Sequence, residues 1–338
     1  MTLFCVAPPA GGFQTRKMKK IRIAILDAYT TVRDDLDWSP LEKFGTVQSF
    51  DRTPPGLIVE RARSADAVLV NKVPMFAEQL GQLPNLKYVG VLATGYNNVD
   101  LKFARSRNIP VSNAPGYGTD SVAQAVFAHI LNISNRVQAH SDAVAKGAWA
   151  RSKDVCFCLS ATVELSGKTL GVFGYGAIGR RVAEIGAAFG MRVLAFSPSR
   201  TAGTRDAVAE FVRADELFSR SDAISLNCPL NGATAGIVCA GTIAKMRRGV
   251  WIINAGRGGL VDEGALAEAL ESGAVGAAGL DVLCEEPPVS GSPLIGAPNC
   301  FITPHNAWAT REARARLIEI AAENIASWLD GKPRNIVN

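Results

Sequence analysis

Short apolar runs alternate with amphipathic stretches through the first third of this chain. The buried-strand patterns lie at residues 20–27, 65–71, 87–93 and 109–113. Helix-like stretches lie between them, such as residues 56–64 and 100–108. Strands that alternate with helices in this way form parallel sheets. We therefore expect an α/β unit at the beginning of the chain.

A second α/β run begins at Lys168, after a long amphipathic helix expected over residues 120–132. The apolar runs predict strands at residues 169–173, 192–196, 223–227, 250–254, 275–281 and 300–303. Helical patterns cover residues 177–189, 262–272 and 310–330, and the last one ends at Gly331 and Pro333. The predicted fold class is thus α/β, with two parallel-sheet blocks in series.

Length and composition agree with two globular domains. The chain has 338 residues, and about 150 residues per domain gives two. Hydrophobic residues make up 48% and charged residues 20%, close to the average of globular proteins. The net charge of +5 is mild and the basic residues are scattered, so nucleic acid is not an expected partner. No apolar run reaches the roughly 18 residues of a membrane span, so no membrane association is expected.

The cysteines and histidines give no sign of a metal site. The seven cysteines have no zinc-binding spacing, and we expect them to be reduced in a cytoplasmic protein. Of the three histidines, His129 is expected to have a packing or surface role and His140 to be solvated. Residues 1–18 lack the pattern of a signal peptide and are expected to be a disordered extension, with Met18 as an alternative start.

The sequence GYGAIG, residues 174–179, forms a GxGxxG motif between a predicted strand and a predicted helix. Gly174 would permit the tight turn, Gly176 would let the backbone approach a pyrophosphate, and Gly179 would let helix and strand pack closely. The helix N-terminus would add unpaired N–H groups and a positive dipole end. The motif predicts a dinucleotide site; the alternative is a plain glycine-rich turn.

The segment that would read the adenosine ribose contains no acid. An Asp or Glu about 20 residues after the motif favours NAD, and a nearby Arg favours NADP. Here the strand at 192–196 is followed by Ser197, Pro198, Ser199, Arg200 and Thr201. Because serine and arginine can donate to a 2′-phosphate, the sequence predicts a preference for NADP(H). The alternative is that Arg200 is an exposed loop residue and NAD is accepted through Ser197.

Three polar segments each follow a predicted strand, where open α/β sheets bind ligands. They are residues 254–259, 281–288 and 303–308, and they contain Arg257, Glu286 and His305. An arginine can grip an anionic substrate, a histidine can protonate the oxygen of a reduced carbonyl, and a carboxylate can hold the imidazolium in place. The trio suits reduction of a 2-oxo acid. Taken singly, Arg257 or Glu286 could equally form a structural ion pair.

The chain from about Met18 onwards resembles the D-isomer-specific 2-hydroxyacid dehydrogenase family, and within it the glycerate dehydrogenase and hydroxypyruvate reductase group. The resemblance is carried by AILDAYT, NKVPM, LPNLKYVGVLATGYNNVD, DSVAQ, GYGAIG, GRGGLVDE, DVLCEEPP and TPHNAWAT. It implies that Arg257 binds the substrate carboxylate and carbonyl. It also implies that His305 is the acid–base group beside the nicotinamide, and that Glu286 is its partner.

The resemblance implies further contacts to substrate and cofactor. Backbone N–H groups of Thr94 and Gly95 would grip the substrate carboxylate, and Lys72 is a further candidate. The implied cofactor residues are Ala177 and Ile178 at the pyrophosphate, Cys228, Pro229 and Thr234 at the adenosine, and Ala255, Gly256 and Asp281 at the carboxamide.

The resemblance also implies two Rossmann-like, doubly wound domains with the active-site cleft between them. Residues 1–118 and 309–338 would form the substrate domain, and residues 119–308 the cofactor domain. Family members are usually dimers through the cofactor domain, so a homodimer with contacts in residues 125–165 is expected.

The expected reaction is hydride transfer between NAD(P)H and a small 2-oxo acid. The favoured pairs are hydroxypyruvate with D-glycerate and glyoxylate with glycolate. The alternatives are a reductase of the phosphoglycerate or 2-ketogluconate type, or a dinucleotide-sensing corepressor-like scaffold. The intact trio argues against the scaffold.

Overall fold

The computed structural model describes residues 20–338, which form two compact units. Unit 1 comprises the described residues up to Tyr117 together with Ala315–Asn338, and unit 2 comprises Gly118–Arg314. The expected extension at residues 1–18 lies outside the described residues. The roles expected for the two parts of the chain stay predictions.

Unit 1 is built on a parallel sheet of five strands. The strands are β1 (Ile21–Ile25), β2 (Gly45–Ser49), β3 (Ala67–Val70), β4 (Tyr88–Val91) and β5 (Val111–Ser112). The helices are α1 (Ser39–Glu42), α2 (Ile58–Ala62), α3 (Ala77–Gly81) and α4 (Leu101–Ser106), with 3₁₀ turns at Ala28–Thr30 and Pro55–Leu57. The strand order is β2-β1-β3-β4-β5, so the order reverses between β1 and β3. Doubly wound sheets bind ligands at such a point.

The end of the chain completes unit 1. The N–H of Val337 donates to the carbonyl of Val111 in β5 at 2.9 Å. Trp328 stacks on the ring of Tyr88 in β4, with 4.9 Å between centroids. Asn324, which is buried, donates to the carbonyl of Asn113 at 2.9 Å. The carboxyl-terminal segment is therefore part of the core and of the edge of this sheet.

Unit 2 contains a parallel sheet of seven strands. They are β6 (Thr169–Phe173), β7 (Arg192–Phe196), β8 (Ala209–Phe211), β9 (Ala223–Leu226), β10 (Val250–Asn254), β11 (Val275–Leu280) and β12 (Cys300–Ile302). The strand order is β12-β11-β10-β9-β6-β7-β8. This is the doubly wound order of dinucleotide-binding sheets, and it reverses between β6 and β9.

Helices of unit 2 cover both faces of its sheet. They are α5 (Thr119–Asn135), α6 (Val137–Ala145), α7 (Ala177–Ala188), α8 (Ala214–Arg220), α9 (Ala240–Ile243) and α10 (Glu263–Glu271), with 3₁₀ turns at Trp149–Arg151 and Gly258–Leu260. The last helix, α11 (Arg311–Leu329), runs across the division between the units. Adjacent strand residues enter opposite cores: Val172 packs with α5 and α7, whereas Phe173 packs with Phe218 of α8.

The buried strands agree closely with the sequence analysis. Strands β6, β7 and β10 have the predicted bounds, and α5 is three residues longer at its carboxyl end than expected. The short strands β2 and β8 had not been predicted, because β2 is a largely polar edge strand and β8 has three residues. The expectation for His140 was wrong: it is half-buried, with its ring nitrogens bonded to the Arg136 carbonyl and the Leu159 N–H.

Among residues 20–338, no helix combines the length and apolar character needed to cross a membrane. In the same part of the chain, no group of three or more His, Cys, Asp or Glu side chains is placed to hold a metal ion.

Candidate functional site

The glycine motif forms the turn between β6 and α7. Gly174 has a φ of 97°, a left-handed conformation that L side chains rarely adopt, and a Cβ there would lie 2.7 Å from the backbone of Asn227. A Cβ at Gly179 would lie 2.0 Å from the carbonyl oxygen of Gly174. Neither position can carry a side chain unless the backbone moves, so these two glycines make the turn as tight as it is.

The middle glycine of the motif faces open space. A Cβ at Gly176 would meet no atom within 4 Å. No side chain caps the 12-residue helix α7, and within the described residues the N–H groups of Ala177 and Ile178 have no hydrogen-bond partner. Unpaired N–H groups at the positive end of a helix dipole attract phosphate. The residues present therefore fit the pyrophosphate of a dinucleotide.

The segment after β7 contains hydroxyl groups and one cation. The hydroxyls of Ser197 and Ser199 lie 3.0 Å apart. The Arg200 guanidinium lies 5.3 Å from the ring centroid of Phe211, and both Arg200 and Thr201 are exposed. Hydroxyl donors and a guanidinium suit a 2′-phosphate, and no carboxylate is present between Ser197 and Thr201 to accept from a ribose hydroxyl.

The next acid along the chain, Asp206, already has three donors. It accepts from the Tyr175 hydroxyl at 2.9 Å and from the backbone N–H groups of Val208 and Ala209 at 2.9 and 2.8 Å. Burial and the Asp206 carboxylate raise the pKa of Tyr175 to about 12, so the phenol stays protonated and donates. This bond ties the glycine turn, which contains Tyr175, to the segment after β7.

The chain turns through residues 228–234 after β9, where the adenosine contacts are expected. The Thr234 hydroxyl donates to the carbonyl of Pro229 at 2.6 Å and accepts from the N–H of Asn231 at 2.9 Å. Cys228 is half-buried, and burial raises the pKa of its thiol, which therefore stays protonated. Thr234 shapes this turn, and the contacts of the turn with adenosine stay a prediction.

Asn254, the last residue of β10, fixes the turn that carries Arg257. Its side chain is buried, donates to the Arg257 carbonyl at 2.9 Å and accepts from the N–H of Gly256 at 3.0 Å. The Arg257 guanidinium is exposed and donates to the Gly256 carbonyl at 2.7 Å. A Cβ at Gly258 would lie 2.0 Å from the backbone of Leu283. The Arg257 turn therefore packs backbone to backbone against the segment after β11.

Glu286 and His305 are in direct contact. Glu286 Oε2 lies 2.5 Å from His305 Nδ1, and Glu286 Oε1 accepts from the N–H of Leu283 at 3.1 Å. Since a carboxylate can only accept, Nδ1 carries the proton of this bond. The Glu286 and His305 side chains are 32% and 25% exposed. The Nε2 atom is then the ring nitrogen available for acid–base chemistry, which is the pairing that the sequence predicts.

Asp281, the residue after β11, holds the turn that carries His305. Its carboxylate is buried and accepts from the Thr303 hydroxyl at 2.7 Å and from the N–H groups of Asn306 and Ala307 at 2.9 Å each. Bonds on both sides of His305 support its left-handed φ of 49°. The donors to the Asp281 carboxylate are thus groups of this protein. The contact of Asp281 with the carboxamide of a cofactor stays a prediction.

His129 of α5 lies beneath this turn, and the sequence analysis gave it no role at the site. Its Nε2 lies 3.2 Å from the hydroxyl of Thr303. Because that hydroxyl gives its proton to Asp281, the Nε2–H of His129 donates to it. Burial lowers the pKa of His129, with the Asp281 charge opposing, so the ring is neutral. The two residues are 174 positions apart, and no local pattern could have linked them.

Unit 1 places its candidate residues after β3 and β4. Lys72 and Thr94 are exposed and Gly95 is partly exposed. Within the described residues, the N–H groups of Thr94 and Gly95 have no hydrogen-bond partner, which suits an anionic ligand. The buried Asp27 carboxylate, after β1, accepts from the N–H groups of residues 71–73 at 2.5 to 3.0 Å. Asp27 thereby fixes the backbone on which Lys72 stands.

Comparisons with known proteins cover nearly the whole chain. A family model described as D-isomer specific 2-hydroxyacid dehydrogenase, NAD binding domain, matches residues 127–307. A hydroxypyruvate reductase from Blautia hydrogenotrophica is 44% identical over 94% of this chain and 100% of its own. A glycerate dehydrogenase from Methylorubrum extorquens is 38% identical over 84% of this chain and 88% of its own. A glyoxylate reductase from Aeropyrum pernix is 38% identical over 88% of this chain and 91% of its own.

Two solved structures with bound cofactors are also similar to this chain. An acyclic imino acid reductase in complex with NADPH and D-Arg has a TM-score of 0.83 and 29% identity, over 94% of this chain and 100% of its own. A D-lactate dehydrogenase with NAD⁺ from Lactobacillus jensenii has a TM-score of 0.77 and 25% identity, also over 94% and 100%.

Proposed function

The chain belongs to the D-isomer-specific 2-hydroxyacid dehydrogenase family, and from that premise we propose that it reduces hydroxypyruvate and glyoxylate with NADPH as the preferred donor. It is an oxidoreductase that interconverts a 2-oxo acid and a 2-hydroxy acid with a nicotinamide dinucleotide. The observation that carries the proposal is the Glu286–His305 pair on a turn anchored by Asp281.

The proposed chemistry assigns one task to each member of the trio. When bound, the reduced nicotinamide supplies the hydride that reaches the substrate carbonyl carbon. His305 gives the proton on Nε2 to the carbonyl oxygen, and Glu286 accepts from Nδ1–H and stabilises the imidazolium. Arg257 makes a two-point contact with the substrate carboxylate and polarises the carbonyl. In the oxidative direction His305 accepts the proton instead.

The substrate and cofactor contacts extend over both parts of the chain. We assign residues 1–118 and 309–338 to the substrate domain, where Thr94 and Gly95 supply N–H groups to the carboxylate and Lys72 adds a positive charge. Residues 119–308 form the cofactor domain in this proposal. Its contacts are Gly174, Gly176, Ala177, Ile178 and Gly179 at the pyrophosphate, Cys228, Pro229 and Thr234 at the adenosine, and Ala255, Gly256, Asp281 and His305 at the nicotinamide.

The preference for NADPH depends on the segment after β7. Ser197, Ser199, Arg200 and Thr201 offer hydroxyls and a guanidinium to a 2′-phosphate. A ribose diol would find no acceptor carboxylate in that segment. The choice of hydroxypyruvate and glyoxylate follows the names of similar curated relatives. Those names do not favour reduction of 2-ketogluconate, and two similar phosphoglycerate dehydrogenases are less identical to this chain, at 37% and 36%.

We also propose a homodimer through residues 125–165 of the cofactor domain, in the cytoplasm. Large apolar side chains are exposed in this stretch, namely Val137, Val144, Trp149, Val155 and Leu159. Their exposed fractions run from 42% to 89%, and such a group of apolar side chains is typical of an interaction surface. Sedimentation at several protein concentrations measures the oligomeric state.

A panel of 2-oxo acids assayed with NADPH and with NADH tests the proposed function. We expect hydroxypyruvate and glyoxylate to give the highest kcat/KM, and NADPH to exceed NADH by about tenfold, which corresponds to one charge-assisted contact. Higher kcat/KM for pyruvate, phosphohydroxypyruvate or 2-ketogluconate would overturn the substrate assignment. A tenfold preference for NADH would overturn the cofactor assignment alone.

A further inference from the structure

Two adjoining cavities lie at the edge of the unit 2 sheet where its strands begin. The first, of about 250 Å³, is lined by residues at the beginning of β6, β7 and β8, including Thr169, Arg192 and Glu210. The second, of about 220 Å³, shares Met191 and Arg247 with the first. The glycine turn lies at the carboxyl ends of the same strands. Because β6 has five residues, the amino and carboxyl ends of the strands are about 16 Å apart.

Cationic side chains surround both cavities. The set is Lys168, Arg192, Arg205, Arg220, Arg247 and Arg248. The carboxylates that line the cavities are Glu210 and Asp222, which leaves four positive charges in excess. The whole chain carries a net charge of +5. Positive charge is therefore concentrated around these two cavities, although the basic residues are scattered along the sequence.

The carboxylates neutralise only part of this charge. Glu210 pairs with both Arg205 and Arg220, at 3.2 and 3.1 Å. These pairs lower the pKa of Glu210, and the hydrogen bond from Arg220 is the largest cause. Asp222 pairs with Arg247 at 2.9 Å. The guanidinium side chains of these pairs are 45% to 72% exposed, so the pairs contribute little stability and an anion can compete with the carboxylates for the arginines.

Three of the cations have no carboxylate partner within the described residues. Arg192 donates to the carbonyl of Gly167 at 3.2 Å, and Arg248 donates to the carbonyl of Ser272 at 2.7 Å. No ion pair involves Lys168 in this part of the chain either. A carbonyl orients a cation but does not neutralise it. Positive potential in a concave site with protein walls is focused and attracts anions.

We propose that these cavities form a binding site for a small polyanion, a molecule with two or more clustered phosphate or carboxylate groups. The lining of the first cavity also includes the apolar residues Met191, Val193, Leu194 and Val208, which suit a short carbon skeleton between the anionic groups. The cavity volume of about 250 Å³ is below the roughly 300 Å³ and more of typical drug-sized pockets, which favours a small ligand. The site is separate from the dinucleotide edge of the sheet.

Calorimetric titration of inorganic pyrophosphate, and in a parallel arm of citrate, into the NADPH-saturated protein tests this proposal. Saturation with NADPH fills the glycine turn, and a saturating 2-hydroxy acid added in a control titration fills the proposed substrate site, so that the remaining anion binding reports another site. We expect binding of at least one of the two anions in the millimolar range or tighter. The two arms distinguish a phosphate ligand from a carboxylate ligand. No binding of either anion by the holoenzyme, or binding that NADPH abolishes, would overturn the proposal.

Substitutions locate the binding to the cavities. The double variant Arg192→Gln/Arg205→Gln is expected to weaken the anion affinity at least about tenfold, because two charge-assisted contacts are lost. The matched control is Arg63→Gln/Arg105→Gln, which removes the same charge from exposed positions of unit 1 and is expected to bind as the wild type does. Equal weakening in both double variants would show a general charge effect and overturn the site. NADPH affinity of each variant confirms that the protein is folded.

A gain of affinity provides a second measurement that unfolding cannot imitate. Glu210→Gln removes the carboxylate that two of the arginines share, so both guanidinium groups become available to the ligand. The variant is expected to bind pyrophosphate or citrate about threefold to tenfold more tightly. Unchanged or weaker binding would contradict the placement of the anion beside Arg205 and Arg220.

Discussion

The N–H of His305 donates to the main-chain carbonyl of Asp281 at 2.8 Å, while the Asp281 carboxylate binds the two residues that follow His305. Asp281 therefore fixes the turn through two groups: its carbonyl accepts from His305 itself, and its carboxylate accepts from the next two residues. This arrangement explains how a histidine keeps a left-handed backbone conformation at the end of a sheet. The rigidity of this turn, and the groups that it positions, can be tested by substitution.

Thr303→Val should loosen the turn without changing the shape of the side chain. The change removes the hydroxyl between His129 and Asp281, so the buried Nε2–H of His129 loses its acceptor and Oδ1 of Asp281 keeps only the N–H of Asn306. We expect a loss of about 1–3 kcal/mol in the free energy of unfolding and a lower kcat. Thr303→Ser keeps the hydroxyl and is the control. Thermal unfolding and turnover of the two variants give the comparison, and equal behaviour would contradict the role of the hydroxyl.

His305→Ala should lower kcat by about 10²- to 10⁴-fold, because it removes the proton donor. The affinity for NADPH should change little, since the proposed pyrophosphate contacts lie at the beginning of α7. His140→Ala is the control of the same residue type, as the hydrogen bonds of His140 within residues 20–338 go to the backbone of Arg136 and Leu159. Steady-state turnover and fluorescence titration of NADPH separate the two effects. Turnover near that of the wild type would refute the proton-donor assignment.

Arg257→Lys should raise KM for the 2-oxo acid and lower kcat, each by about tenfold. A single ammonium cannot make the planar two-point contact of a guanidinium with a carboxylate. The factor corresponds to one charge-assisted hydrogen bond of about 1.5 kcal/mol. Arg63→Lys, at an exposed position of unit 1, is the matched control. Kinetics with unchanged KM in Arg257→Lys would place the substrate carboxylate elsewhere.

Arg200→Gln should reduce the preference for NADPH and leave the kinetics with NADH almost unchanged. The guanidinium stands beside Phe211 on an exposed segment, where it can reach a 2′-phosphate but has no group to bind on a 2′-hydroxyl cofactor. We expect KM for NADPH to rise about tenfold. The ratio of kcat/KM for the two cofactors is the measurement, and a parallel fall for both would show a structural role instead.

The stability of the protein should fall in mild acid through His129. Burial lowers its pKa in the folded protein below the ordinary value of 6.5, so below about pH 6.5 the unfolded chain binds the proton more readily. The free energy of unfolding therefore decreases as the pH falls from about 6.5 towards the lowered pKa. His129→Gln removes this titration, and its melting temperature should depend less on pH between about 5 and 7. Parallel melting curves for both proteins would contradict the assignment.

The sequence predicted those features that repeat locally or follow a fixed spacing. Strands such as β6 and β10 are largely apolar because both faces are buried, and this pattern is visible without any partner. The glycine turn was also visible, since GxGxxG between a strand and a helix is a local pattern, although the backbone that requires Gly174 is that of the distant Asn227. Arg257, Glu286 and His305 could be located because each follows a recognisable strand.

Features that depend on distant residues could not be predicted. The bond from His129 to Thr303 joins α5 to the residue after β12, and the six cations of the proposed anion site come from strand, helix and connecting segments spread over residues 168–248. Their convergence follows from the order of the strands in the sheet, which apolar periodicity does not reveal. The edge strand β2 was missed for a related reason, because its residues are largely exposed and lack a buried pattern.

The pairing of β5 with the segment around Val337 has a consequence for biosynthesis. All of unit 2 leaves the ribosome before the residues that complete unit 1. About 200 residues separate the two parts of unit 1, which at roughly 5–20 residues per second means a delay of about 10–40 s. The β5 edge of the nascent sheet therefore lacks its partner segment during that interval.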